Sequence, residues 1–126
     1  MSITYKVRAE GDVLYVTASG FDKSLEEVTA YGQAVIAACR KHQCHKVLCD
    51  ERALEYRLNT VDTYELAKYY AKYVPTLVKA AVICRPENYE SGQFWETVAR
   101  NRALTFRVFT KMNEARAWLE LEAVQQ

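Results

Sequence analysis

Short apolar segments typical of β-strands alternate with amphipathic segments along this sequence, and their order limits the possible folds. The first two strand-like segments are separated by Glu10-Gly11-Asp12, where the Gly favours a tight hairpin connection. The elements then follow the order ββαβαβαβα. A strand, a helix and a strand in succession form a right-handed crossover between parallel strands. The order therefore predicts an α/β fold whose mixed sheet has an N-terminal antiparallel hairpin followed by parallel βαβ units.

The predicted strands are rich in β-branched, aromatic or other apolar residues. The third, at 46–49, is apolar from Val47 onward and stops at Asp50, as expected of a strand that is buried on both faces. The stretch 51–60 that follows is predicted to be the least structured part of the chain. The remaining predicted strands lie at 3–9, 13–18, 80–84 and 105–109.

The predicted helices are recognised by their caps and by apolar residues that recur every three or four positions. Ser24-Leu25-Glu26-Glu27 fits a capping box, so the first helix begins there. The others are predicted to begin at about Thr63, at Asn88 or Ser91, and at Thr110, with the last helix continuing to Glu122.

The length and charge of the chain limit how many domains it can form and which partners it can bind. A length of 126 residues suits one domain spanning 1–126. The 17 basic residues nearly balance the 16 acidic ones and are interspersed along the chain, whereas nucleic-acid binding normally uses a concentrated basic face. We therefore expect no nucleic-acid partner. Since no apolar run approaches the roughly 20 residues of a membrane helix, we expect no membrane span.

The amino terminus and the cysteines indicate the compartment. Residues 1–8 are polar and lack the apolar run of a signal peptide. We therefore expect a cytoplasmic protein, in which the four cysteines stay reduced.

Three segments match a known family in composition and position. They are Val47-Leu48-Cys49-Asp50, Phe106-Arg107-Val108-Phe109 and Glu114-Ala115-Arg116-Ala117-Trp118-Leu119. With the order of the elements, they resemble the SpoIIAA-like branch of the STAS family, small regulatory domains named after anti-sigma factor antagonists. The resemblance spans nearly the whole chain. It implies a STAS fold and a noncatalytic regulatory or protein-interaction role.

The segment after the third strand departs from that family. Signalling antagonists carry an Asp-Ser-Ser-Gly-like segment there, whose Ser is phosphorylated to switch partner binding. In this chain Asp50 is followed by Glu51-Arg52-Ala53-Leu54, and the nearest hydroxyl groups are those of Thr60 and Thr63. The resemblance thus implies a regulatory domain without the usual phosphorylatable serine motif. A wider similarity, to the CRAL-TRIO lipid carriers, suggests an alternative: a small-molecule or lipid carrier with an apolar pocket between the second helix and the sheet.

Charged residues gather where the third and fourth strands end. Asp50 and Arg52 follow the third strand, with Glu51 between them, and Arg85 follows the fourth, close to Glu87. Ligand crevices of α/β folds form outside the carboxyl ends of parallel strands. We therefore predict Asp50, Arg52 and Arg85 as ligand- or partner-binding residues, although these charges could equally neutralise one another as a rim network.

Tyrosines concentrate in and just before the predicted second helix. Because one helix face cannot bury all of those in the helix, some rings are expected to remain exposed or to contact a partner. We predict a homodimer, a protein partner or a small apolar ligand at this surface. The tyrosines of this segment are Tyr56, Tyr64, Tyr69, Tyr70 and Tyr73, and the predicted contact residues among them are Tyr56, Tyr69, Tyr70 and Tyr73.

Metal-capable side chains cluster at Cys39, His42, Cys44, His45 and Cys49. Structural zinc sites usually gather their ligands from two short knuckles, and this spacing lacks them. We interpret Cys39 and Cys49 as core residues and place His42, Cys44 and His45 in an exposed turn. No metal site is predicted.

Motifs for catalysis or cofactor binding are weak. Cys49 and Cys84 end two parallel strands, yet neither lies in a Cys-x-x-Cys motif, so packing is favoured over redox pairing. Tyr64 and Lys68 have the Tyr-x-x-x-Lys spacing of short-chain dehydrogenases, but no Gly-rich turn follows a strand to bind a dinucleotide. We therefore expect no cofactor, no catalytic residue and no enzymatic activity.

Overall fold

The structure, a computed structural model, describes residues 2–57, 61–62, 65–66, 68, 79–100 and 105–121. In this part of the chain, five strands form one sheet in the order β1-β2-β3-β4-β5. The strands are β1 (Ile3–Glu10), β2 (Val13–Phe21), β3 (Lys46–Glu55), β4 (Lys79–Ile83) and β5 (Thr105–Phe109). The helices are α1 (Leu25–His42), a 3₁₀ turn at Pro86–Asn88, α2 (Tyr89–Arg100) and α3 (Met112–Trp118).

The sheet has the predicted mixture of directions. β1 and β2 are antiparallel, and Gly11 takes a φ of +60° at the first position of their two-residue connection, the arrangement used by type II′ turns. β2, β3, β4 and β5 are parallel, with Tyr15, Leu48, Ala81 and Arg107 in one register across them. The predicted mixed α/β sheet is therefore confirmed.

The predicted second helix, from about Thr63, falls mostly outside the described residues, which include three of its positions and two residues just before it. All five have helical backbone, so the helical conformation is already present at Val61, two residues before the predicted start. They are Val61, Asp62, Glu65, Leu66 and Lys68. Leu66 is buried, with 6% of its surface exposed.

Two hydrophobic cores lie on opposite faces of the sheet. The α1 face is covered by α1 and α2, and its buried sheet residues are Val16, Val47, Cys49, Val82 and Val108. The α3 face is covered in part by α3, and its buried residues are Leu48, Ala81, Ile83, Phe109, Ala115 and Leu119. Because successive residues of a strand point to opposite faces, β3 contributes Val47 and Cys49 to one core and Leu48 to the other. The prediction that this strand is buried on both faces is correct.

Element lengths differ from the predictions at three places. β3 continues to Glu55, so 51–55 are strand rather than irregular, because β2 also extends and pairs with them as far as Phe21. α2 begins at Tyr89, directly after Asn88, as one of the two predicted starts requires, but the Asn88 side chain bonds to the Leu54 carbonyl at 3.2 Å instead of capping the helix. α3 ends at Trp118 rather than at Glu122, since Glu120 turns to a φ of +61°.

Candidate functional site

An acidic residue of β3 lies on the α1 face, beside a β-bulge. Thr17 pairs with Asp50 and Ser19 with Ala53, so β3 has one more residue than β2 in this interval. Such an extra residue changes which face the following side chains point to. Cys49 and Leu54 consequently both belong to the core of the α1 face, although they are five positions apart. Glu51, between them, points to the same face, where it meets α1.

The carboxylate of Glu51 is held by two tyrosine hydroxyl groups. Tyr31, a buried residue of α1, donates to Oε2 at 2.8 Å, and Tyr56, just after β3, donates to Oε1 at 2.5 Å. Each carboxylate oxygen thus has one phenol partner. The rings of Tyr31 and Tyr5 also pack against each other, with centroids 5.2 Å apart.

These groups form one side of a pocket of about 110 Å³ between the sheet, α1, α2 and Leu66. Most of the wall is apolar, and the polar side chains gather around Glu51. Its lining residues are Ile3, Asp22, Val28, Tyr31, Glu51, Leu54, Tyr56, Leu66, Ser91 and Trp95.

A second carboxylate, that of Asp22, lies at the same pocket. Asp22 is 7% exposed, and its Oδ1 accepts a hydrogen bond from the Arg57 backbone N–H. Its own N–H donates to the Glu55 carbonyl at 3.1 Å. Asp22 therefore joins the end of β2 to the end of β3 and adds negative charge near Glu51.

Burial and mutual repulsion shift the ionisation of this group of residues. Burial raises the pKa of Glu51 above its ordinary 4.5, against the two tyrosine hydrogen bonds, which lower it. Burial, followed by the charge of Glu51, raises the pKa of Tyr31 and that of Tyr56 well above 10. The tyrosines are therefore hydrogen-bond donors at neutral pH, and the carboxyl group is costly to ionise without a compensating positive charge.

Two of the predicted rim residues, Asp50 and Arg52, come together on the other face of the sheet. The Arg52 guanidinium donates to both oxygens of Asp50, at 2.8 Å and 2.7 Å, and these bonds lower the pKa of Asp50. Asp50 lines a groove of about 500 Å³ between the sheet and α3, together with Tyr15 and Arg116. The sheet thus separates Asp50 and Arg52 from Glu51, which the sequence analysis places in the same charged rim. It also separates them from Tyr56, another predicted contact residue.

Arg85 lies at the same edge of the sheet as Asp50. Asp50 is in register with Ile83, two residues before Arg85, so the predicted proximity of the two strand ends is correct. Among the described residues at this edge, ion pairs join Asp50 to Arg52 and Glu55 to Arg57, rather than either acid to Arg85. The Nε of Arg85 is buried and has no hydrogen-bond partner within the described structure.

The remaining predicted contact residues, Tyr69, Tyr70 and Tyr73, lie outside the described residues, as do Tyr64, Thr60 and Thr63. Their roles stay predictions from the sequence.

The cysteines pack as predicted, with one correction. Cys39, Cys49 and Cys84 are buried, but so is Cys44, which the sequence places in an exposed turn. α1 ends at Gln43 in a left-handed conformation, and the Cys44 N–H then bonds to the Cys39 carbonyl at 2.9 Å. This geometry turns the Cys44 side chain into the core. Among the described residues, no three His, Cys, Asp or Glu side chains gather as a metal site would require.

Sequence reasoning missed Glu51 as a pocket residue and Tyr31 as its partner. It placed Glu51 in the charged rim, between Asp50 and Arg52, and assigned Tyr31 no binding role. The alternation of Val47, Cys49 and Glu51 was the available signal, because strand residues two apart share a face. The contact with Tyr31 joins residues 20 positions apart and has no local signature.

Two solved structures have a similar arrangement of strands and helices. An anti-sigma factor antagonist from Mycobacterium paratuberculosis superposes with a TM-score of 0.66 at 16% identity, covering 94% of this chain and 95% of that one. An uncharacterized protein of the DUF3478 family from Shewanella loihica, described as having a SpoIIAA-like fold, superposes with a TM-score of 0.54 at 17% identity, covering 94% of each chain. This chain has a SpoIIAA-like fold.

The SpoIIAA-like fold was the one implied by the sequence resemblance, which is thereby confirmed at the level of the fold. No family model and no curated protein matches the sequence significantly. In the part of the SpoIIAA-like fold that the structure describes, no helix is long and apolar enough to cross a membrane.

Proposed function

We propose that this chain is a noncatalytic, cytoplasmic regulatory domain that acts by binding a protein partner. The observation that carries the proposal is the superposition on an anti-sigma factor antagonist, which covers nearly the full length of both chains. A fold alone does not fix a function, so the contact surface must be argued from the residues themselves.

The partner surface that we propose is the edge where the parallel strands end, with Asp50, Arg52 and Arg85. Asp50 is held in place by two hydrogen bonds from Arg52, and the Arg52 side chain is 50% exposed. An exposed and oriented ion pair of this kind contributes little to stability. It is well suited to charge complementarity with a partner, which governs specificity and the rate of association.

Site-specific photocrosslinking in the native cells tests this surface. A photoreactive residue is placed at Arg52 and, as a control, at Lys41, an exposed residue at the opposite end of the parallel strands. We expect the Arg52 position to give a crosslinked heteromer that the Lys41 position does not give. Equal yields at the two positions, or none at either, would refute the proposed surface.

The second part of the proposal is self-association through Tyr69, Tyr70 and Tyr73, in the helix that the sequence predicts between β3 and β4. A homodimer would have twice the 14.5 kDa mass of the chain, and light scattering after size exclusion measures this directly. Tyr69→Ala and Tyr73→Ala are expected to shift the dimer toward the monomer. A monomer at high micromolar concentration that is unchanged by both substitutions would remove the homodimer from the proposal.

A second function, binding of a small molecule, is favoured by the pocket around Glu51. The pocket lies between Leu66, of the second helical segment, and the sheet, where the carrier hypothesis requires an apolar pocket. Its volume of about 110 Å³ is enough for a ligand of a few heavy atoms. Native mass spectrometry of the purified chain tests for such a ligand. A spectrum showing only the empty chain, after gentle desolvation, would count against this function.

A further inference from the structure

The pocket around Glu51 has an unbalanced set of polar groups. Glu51 and Asp22 contribute carboxylates, whereas the described lining residues include no Lys, Arg or His. The hydroxyl protons of Tyr31 and Tyr56 are already directed at Glu51. The polar side of the pocket therefore consists mainly of hydrogen-bond acceptors and carries negative charge.

The carboxylate of Glu51 can accept further hydrogen bonds. A carboxylate oxygen can accept two hydrogen bonds, and each oxygen of Glu51 accepts one from a tyrosine. A phenol oxygen that donates its proton can also accept a bond. A ligand rich in donors and positively charged would complement this side of the pocket.

The rest of the pocket lining is largely apolar and aromatic. Leu54 and Leu66 are each almost fully buried, and the Trp95 ring lines the same space. A short aliphatic chain would pack there, and the aromatic face would favour a nearby cation. A ligand with an ammonium group at one end and a few carbons at the other fits both sides.

We propose that this pocket binds a short primary alkylammonium ion, with its N–H groups on Glu51 and its carbon chain against Leu54 and Leu66. The proposal rests on the second proposed function and names its ligand class. A four-carbon chain with one nitrogen matches a pocket of about 110 Å³. The ammonium also supplies the positive charge that a buried Glu51 lacks, so binding favours its ionised form.

The chain contains an internal reporter and an internal control for this test. Of its two tryptophans, Trp95 lines the pocket, whereas Trp118 packs on Phe109 on the other face, with ring centroids 5.9 Å apart. The two indole N–H signals in a ¹⁵N spectrum therefore report on the two faces separately. Trp118→Phe assigns them.

The experiment titrates the wild-type chain with n-butylammonium, n-butanol and butyrate. We expect butylammonium to shift the Trp95 signal, to leave the Trp118 signal in place, and to bind at least about tenfold more tightly than butanol. Butyrate should give no shift of Trp95. Comparing the three probes requires no variant, so the result does not depend on the folding of a mutant.

Two variants localise the effect. Glu51→Gln keeps the size of the side chain and removes its charge, and it should weaken butylammonium binding at least about tenfold while changing butanol binding less than about twofold. Asp50→Asn removes the adjacent charge on the opposite face, which acts on Glu51 only across the sheet, and should weaken butylammonium binding far less than Glu51→Gln does.

The possible failures are distinguishable. Butanol binding as tightly as butylammonium would overturn the ammonium proposal and leave small-molecule binding standing. Trp95 unmoved by all three probes would overturn both. An equal loss of butylammonium binding in Glu51→Gln and Asp50→Asn would overturn the assignment to Glu51.

Discussion

Tyr31 and Glu51 are joined by a 2.8 Å hydrogen bond that links α1 to the bulge of β3. The bond forms because Glu51 follows Val47 and Cys49 on the α1 face of β3, and because Tyr31 of α1 is buried in the core on that same face. It connects the apolar packing of α1 to the polar side of the pocket. The stability of the fold and the chemistry of the pocket therefore depend on the same pair of residues.

Removing the Tyr31 hydroxyl should destabilise the protein measurably. Tyr31→Phe keeps the ring and leaves a partly buried carboxyl oxygen without its donor, which we expect to lower the free energy of unfolding by about 1–3 kcal/mol. Urea denaturation at pH 7 measures the change. Tyr15→Phe is the control, since it keeps the ring that Arg8 stacks on and should stay within about 0.5 kcal/mol of the wild type. Equal losses in the two variants would contradict this account.

The raised pKa of Glu51 gives the unfolding free energy a pH dependence of known sign. Below its ordinary pKa of 4.5, Glu51 is protonated in both the folded and the unfolded state. As pH rises above 4.5, the unfolded chain ionises first, so stability is lost until the folded pKa is passed. Tyr31, Tyr56, Asp22 and Asp50 are the ionisable oxygen groups that act on it.

Glu51→Gln should remove the loss of unfolding free energy that the ionisation of Glu51 causes as pH rises above 4.5. We expect the free energy of unfolding of the wild type to fall relative to that of Glu51→Gln as pH increases above 4.5, with denaturant melts at several pH values as the measurement. His45 is the first cause of the lowered pKa of Asp12, and Arg52 is the first cause of the lowered pKa of Asp50. These two groups therefore contribute stability that is lost as pH falls below 3.8, which is the opposite dependence on pH. A difference between wild type and variant that does not vary with pH would show that Glu51 titrates normally.

The element order and the hairpin could be predicted because their signals are local. Gly11 between two strand-like segments, the N-cap Ser24 and the apolar run at 47–49 each act within a few residues, and the structure confirms all three. The predicted capping box is only half formed, because the Glu27 carboxylate accepts from the Ile3 N–H instead of the Ser24 N–H. Parallel pairing then follows from the order alone. The fold is thus mostly determined by short-range patterns.

The site could not be predicted in the same way because it depends on pairing between strands. The charged pair Glu51-Arg52 suggests the end of a strand, whereas β3 continues because β2 offers further partners. Because β3 continues, the ordinary alternation of a strand separates Glu51 from Arg52, so that one points into the pocket and the other pairs with Asp50 on the far face. The continuation of β3 alongside β2 is what puts Glu51 in the pocket and Arg52 on the far face.

Gly20 should tolerate substitution much less well than Gly11. At Gly20, with a φ of +98°, an added Cβ would lie 2.0 Å from the Ser2 carbonyl oxygen, whereas nothing lies within 4 Å of a Cβ at Gly11. We expect Gly20→Ala to cost about 3 kcal/mol or more, because both the backbone conformation and a backbone contact oppose it. Gly11→Ala should cost only about 1–2 kcal/mol, from its φ of +60°. Thermal or urea unfolding of the two variants measures the difference, and comparable losses would argue against the close approach at Ser2.

The four cysteines should react slowly with thiol reagents while the protein is folded. Burial raises the pKa of Cys39 and that of Cys84 to about 11, so at pH 8 about one in a thousand of these groups is a thiolate. Burial also raises the pKa of Cys44 and, together with the charge of Glu51, that of Cys49. A disulfide-exchange reagent at pH 8 should therefore modify the native chain far more slowly than the urea-unfolded chain.

Cys44 should be the first of the four cysteines to react. It lies in the turn after α1, next to the exposed His45. Its Sγ makes a long contact of 3.8 Å with the His42 carbonyl. Cys44→Ser is accordingly expected to remove the fastest kinetic phase, and Cys84→Ser to leave it unchanged. Loss of that phase in Cys84→Ser instead would mean that the strand end at Cys84 is open to solvent. The redox pairing of Cys49 with Cys84 would then regain support over simple packing.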